Sequence, residues 1–90
     1  MLRLTLARLL MQAGEWEKAA SHLASAVTQD PDYSAAWKEL GQVHLTLGQN
    51  ETALTSWRKG IEVARAKGDK QAEKEMGVFV RRLLKASSDS

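Results

Sequence analysis

At ninety residues and 10.0 kDa the chain is one small domain, and its 43% hydrophobic and 27% charged residues are those of a water-soluble globule. No apolar run approaches the roughly 18 residues that span a bilayer, and the lack of cysteine excludes disulfides and thiolate metal ligands, which suits a reducing, cytoplasmic setting. Thirteen basic and eleven acidic residues leave a net charge of +2, and only Arg81, Arg82 and Lys85 cluster, so neither nucleic acid nor a membrane is an expected partner.

The opening residues, Met1 to Leu10, contain arginine and no acid and are amphipathic, as organelle transit peptides are. They lack serine and a cleavage pattern, and their leucines run in phase with the apolar positions further along the chain, so they are read as a first helix. Leu2, Leu6, Leu9 and Ala13 recur at spacings of three and four, predicting a helix over about 2–13 that Gly14 ends. Trp16, Ala19, Ala20, Leu23, Ala26 and Val27 carry the same period through a second helix, about 15–29, which Asp30-Pro31 stops because proline disfavours helical geometry in the residue before it. A third helix is expected from Ser34 to Leu47, with Trp37, Leu40, Gly41 and His44 on one face and Gly48 at its end. Asn50 is the expected N-cap of a fourth, which carries Ala53, Leu54, Trp57, Ile61 and Ala64 to Lys67 and Gly68. Asp69 is expected to cap a fifth, whose apolar stripe is Ala72, Met76, Phe79, Val80, Leu83 and Leu84. The tail, 87–90, is expected to fray.

Shifted by thirty-four residues, the chain falls on itself. Gly14 lands on Gly48, Ala19 on Ala53, Glu17 on Glu51 and Leu6 on Leu40. Self-similarity of that period is the mark of stacked helical hairpins, each too small to bury its apolar face alone. The expected fold is therefore all-α: antiparallel helix-turn-helix repeats in a short α-solenoid of about five helices.

At Trp37-x-x-Leu40-Gly41-x-x-His44, followed by Ala53-x-x-x-Trp57, the chain resembles the tetratricopeptide repeat family. The first copy carries the resemblance through Leu6, Ala7, Leu10, Gly14, Ala19, Leu23, Ala26 and the closing Pro31. Three departures are His44 for the usual Tyr, Gly60 for a usual Ala, and Arg65 in place of a second closing proline. The resemblance implies one domain over 1–86, with repeat one at about 1–33, repeat two at about 34–67 and a capping helix at about 69–86. In such a unit Gly41, Ala7, Ala19 and Ala53 keep helix axes close, and Leu6, Leu23, Trp37, Leu40 and Trp57 fill the space between them.

No chemistry competes with that reading. His44 occupies a packing position, His22 stands apart, and neither has a histidine or carboxylate four residues away in a metal-like arrangement. Glu15, Glu17 and Glu51 flank helix starts, where the dipole favours them, and the three tryptophans read as packing residues. No enzyme, cofactor or metal is expected. The resemblance implies a noncatalytic protein-interaction or scaffold module that takes a peptide or protein segment in a groove lined by the first helix of each repeat. The outward positions there are Leu4, Arg8, Met11 and Gln12 in the first repeat. In the second they are Lys38, Gln42, Leu45 and Thr46. Leu4, Met11 and Leu45 are expected to form an apolar floor, with Arg8 and Lys38 as surface cations that hold an acidic group. Some relatives grip chaperone tails with Lys and Asn in this groove, but Leu4, Arg8 and Glu39 stand at those positions, so that activity is not implied. The alternative is that the leucine-rich first helix pairs with a second copy, making a homo-oligomer, or with further repeats of a longer protein.

Overall fold

The computed structural model describes residues 2–88, and side chains from Leu4 to Ser87. Its five helices are α1 (Leu2–Gln12), α2 (Trp16–Gln29), α3 (Ser34–Thr46), α4 (Asn50–Lys67) and α5 (Lys70–Ser88). Each differs from its expected span by one or two residues. Ser87 and Ser88 belong to α5, while Asp89, Ser90 and the side chain of Leu2 lie outside the described residues.

Three turns are built alike. Gly14, Gly48 and Gly68 have φ of 77°, 77° and 74°, the left-handed region that a side chain disfavours. At each, the glycine N–H and the next N–H reach back to orphan carbonyls of the helix. Gly14 donates to Met11 at 3.0 Å and Glu15 to Leu10 at 2.8 Å; Gly48 donates to Leu45 at 3.0 Å and Gln49 to His44 at 2.8 Å; Gly68 donates to Arg65 at 3.1 Å and Asp69 to Ala64 at 2.8 Å. These are Schellman caps, and their repetition is what places α2, α4 and α5 antiparallel to the helices before them. Asp69 caps α5 as expected, accepting from Ala72 N–H at 3.1 Å. Asn50 does not cap α4: the helix already includes it, and Gln49 stands at the cap without a side-chain capping hydrogen bond.

The core lies between consecutive helices. Leu4, Ala7, Leu23, Ala26, Val27, Leu40 and Val43 form one buried cluster across α1, α2 and α3. Ala53, Trp57, Ala64, Met76 and Leu83 form a second across α4 and α5. Two glycines let these helices approach closely. A Cβ on Gly41 would overlap the Trp57 indole of α4, and one on Gly60 would lie 2.9 Å from Trp37 Cβ and against the Met76 sulfur. Trp57 is fully buried, donates Nε1–H to Lys38 O at 3.0 Å, and packs on Phe79 with ring centroids 5.3 Å apart and the planes tilted by 43°. Gly60 thus departs from alanine because α5 places Met76 where a methyl group would go.

The expected core stripe of α1 is corrected. Leu6 is 40% exposed and Leu9 57%, while Leu4 is only 4% exposed and Ala7 fully buried. The repeat itself explains the difference. Leu6 and Leu9 are equivalent to Leu40 (5%) and Val43 (0%), which α3 buries on the side toward α2. No described helix lies before α1, so the same face is left in solvent.

Candidate functional site

Two ion pairs join the first helices of the units in series. Arg8 on α1 donates Nε–H to Glu39 Oε1 on α3 at 2.7 Å, and Lys38 on α3 donates to Glu75 Oε1 on α5 at 3.2 Å. Arg8 and Lys38 sit on neighbouring helices because each repeat turns the same helical face toward this side. Both cations expected to await an acidic ligand are thus already neutralised within the chain.

The two pairs differ in environment. The Arg8 side chain is 54% exposed, but the Glu39 side chain is only 11% exposed. The hydrogen bond from Arg8 to Glu39, then the attraction of the two charges, raises the guanidinium pKa above its ordinary value. Glu39 Oε2 is buried and accepts no hydrogen bond among the described residues. A buried acceptor of this kind favours a donor. Lys38 and Glu75 are both partly exposed, as a rim pair would be.

Of the eight expected groove residues, Leu4 is in the core, within the buried cluster that α1, α2 and α3 share. Met11 is half-buried against the same cluster, Gln42 is half-buried on α3, and Gln12, Leu45 and Thr46 are exposed. Thr46 spends its hydroxyl on the Gln42 carbonyl at 3.0 Å. The apolar surface here is therefore Leu45, with Met11 at the equivalent position of the first repeat. Glu39 and Glu75 were not among the expected residues. Glu39 was legible, since it follows Ala36 by three residues and precedes Val43 by four, which puts it on a buried stripe. Glu75 was not, because its partner comes from another helix.

The remaining candidates have structural roles. His44 Nδ1 lies 2.5 Å from Gln49 Oε1 across the α3–α4 turn, and Trp16 packs on the first core cluster. Trp37 donates Nε1–H to Pro31 O at 2.8 Å, tying α3 to the turn before it. No group of three His, Cys, Asp or Glu able to hold a metal occurs among the described residues. No described helix is long and apolar enough to cross a membrane.

The sequence model of the tetratricopeptide repeat matches residues 4–70, most of the chain. The chain belongs to the tetratricopeptide repeat family. A TPR repeat-containing protein of Pseudomonas aeruginosa is 46% identical over 86 residues, which cover 96% of this chain and 82% of that one. The solution structure of a Bordetella parapertussis protein superposes with a TM-score of 0.87 at 37% identity, covering 97% of this chain and 76% of its own. A tetratricopeptide repeat domain protein of Salinibacter ruber, also with a TM-score of 0.87, is 26% identical over 91% of this chain and 83% of its own. Proteins of the tetratricopeptide repeat family are generally protein-interaction or scaffold modules, and this chain has their fold.

Proposed function

We propose that this chain is a noncatalytic interaction module that binds a peptide or protein segment along the face shared by α1, α3 and α5, in a cytoplasmic setting. The observation that carries the reading is the juxtaposition on α3 of an exposed apolar side chain, Leu45, with the half-buried Gln42 three residues before it on the same side of the helix. Such a surface offers an apolar contact and polar groups able to fix a backbone. An acidic group on the ligand would have to displace Glu39 from Arg8 or Glu75 from Lys38, so the ligand's donors, rather than its carboxylates, suit this face. Selection of a displayed peptide library on the purified protein tests the reading. Enriched peptides should perturb the amide resonances of Gln42, Leu45 and Thr46, and Leu45→Glu should weaken them at least tenfold. Peptides that map elsewhere, or no enrichment, would remove it.

A second reading rests on Leu6 and Leu9. Their equivalents in the second repeat are buried, so α1 presents a helix-packing face with nothing upon it among the described residues. A second copy of the chain is the occupant to test first, through α1 against α1. Light scattering after gel filtration should then show a mass that doubles with concentration, and Leu9→Glu should hold the chain at one copy with its helical circular dichroism intact. A constant mass of about one chain at all concentrations would reject self-association.

A further inference from the structure

Beyond the cluster of Arg81, Arg82 and Lys85, the cations of this chain are enriched toward its C-terminal third. Residues 58–85 hold nine of its thirteen Lys and Arg but only four of its eleven Asp and Glu. On α5 the cations Lys70, Lys74 and Arg81 recur at spacings of four and seven, on the side opposite the buried Met76 and Leu83. They form no ion pair among the described residues, in contrast to Arg8 and Lys38, and they edge an open trough of about 380 Å³ between α4 and α5. Arg65 and Glu73 line it as well, but they neutralise each other at 3.0 Å, so the trough is left with three uncompensated positive charges.

Gly77 lies in the trough, on the same line as the cations. A glycine inside a helix costs stability relative to alanine, and the cost is usually explained by a neighbour that needs the space. Gly41 and Gly60 have such neighbours in Trp57, Trp37 and Met76, but a Cβ on Gly77 would meet nothing within 4 Å. Nothing among the described residues requires a glycine there. A bare stretch of backbone between cationic edges, with the half-buried Ile61 beside it, leaves room for something from outside to come close.

We propose that the trough between α4 and α5 is a docking site for an acidic protein segment, with carboxylates along Lys70, Lys74 and Arg81 and a small residue set against Gly77 and Ile61. The surface is distinct from the face shared by α1, α3 and α5, since the side of α5 turned to α3 carries Ala72 and Glu75. A protein segment fits better than nucleic acid. Three cations over about 16 Å of helix supply few phosphate contacts, and a phosphate backbone would gain nothing from the apolar Ile61. Carboxylates on an amphipathic segment use both features.

A synthetic peptide alternating glutamate with alanine and leucine, titrated into the isotopically labelled full chain, tests the proposal. The amides of Lys70, Lys74, Gly77 and Arg81 should shift, and the same peptide with glutamine for glutamate should leave them still. Lys74→Glu combined with Arg81→Glu should lower affinity tenfold or more. Gly77→Leu should lower it comparably by filling the trough, while the thermal midpoint stays level or rises by a few degrees, because the new side chain has open space and the helix loses a glycine. That combination, a more stable chain that binds less, is the signature of the site. Peptide shifts confined to α1 and α3, full affinity in Gly77→Leu, no binding of the glutamate peptide, or tighter binding of oligothymidylate would each overturn the proposal.

Discussion

Gly41 is where a single atom decides most. Its missing Cβ is the space taken by the Trp57 indole, and overpacking a core contact of this kind costs about 1–3 kcal/mol. Gly41→Ala should therefore lower stability to urea by that amount, and Trp57→Ala by about 3–5 kcal/mol, since it empties a fully buried indole site. A Gly41→Ala chain as stable as the parent would mean that α3 and α4 separate freely. Arg8 acts through its partner. Removing it leaves the Glu39 carboxylate, 11% exposed, with neither oxygen bonded, and Arg8→Ala should cost about 1–2 kcal/mol. Adding Glu39→Gln should recover part of the loss. Because the pair raises the Arg8 pKa, its contribution is complete below the unfolded-state value and fades only as pH climbs through the folded one. The cost of Arg8→Ala should thus stay level from about pH 6 to 9, where arginine remains charged.

The turns carry the logic of the elements. Gly48 holds φ of 77° with no neighbour near its missing Cβ, so Gly48→Ala is penalised by backbone conformation alone, by about 1–2 kcal/mol. Urea unfolding of that variant beside Gly77→Ala separates the two kinds of glycine: the first should destabilise and the second should not. α1 offers a matching contrast. Leu4→Glu places a charge in the first core cluster and should strip the chain of cooperative thermal unfolding, whereas Leu9→Glu alters an exposed position and should leave the melting temperature within a few degrees. Equal effects from the two would mean that α1 packs on its other face. Both stripes of this helix are leucine-rich, so periodicity alone could not rank them.

In the whole molecule each helix packs mainly on its chain neighbours, as quasi-one-dimensional repeat proteins do. α3 is covered on two sides, by α2 and α4, and α1 chiefly by α2. Native-state hydrogen exchange should accordingly find the strongest protection in α3 and α4 and the weakest in α1, with α1 opening before the rest of the chain. Uniform protection across all five helices would show that the short array unfolds as one unit. The Lys67 bond to the Asp32 carbonyl at 2.8 Å adds a tie between the end of α4 and the α2–α3 turn, which supports the protection expected there.

What the amino-acid order determined by itself is local or periodic. Glycines that tolerate left-handed backbone, a proline that forbids helix before it, and a thirty-four-residue recurrence of small and large apolar residues are enough to place five helices within a residue or two and to reveal the family. The tertiary structure alone decided which side of α1 is buried and which charges are already paired. Burial of Leu4 rather than Leu6 depends on which side of α1 meets the cluster it shares with α2 and α3 and on the absence of a described helix before α1, and the engagement of Lys38 depends on Glu75, thirty-seven residues away. Such contacts join residues whose separation follows no helical period, so they come into being only when the chain is packed.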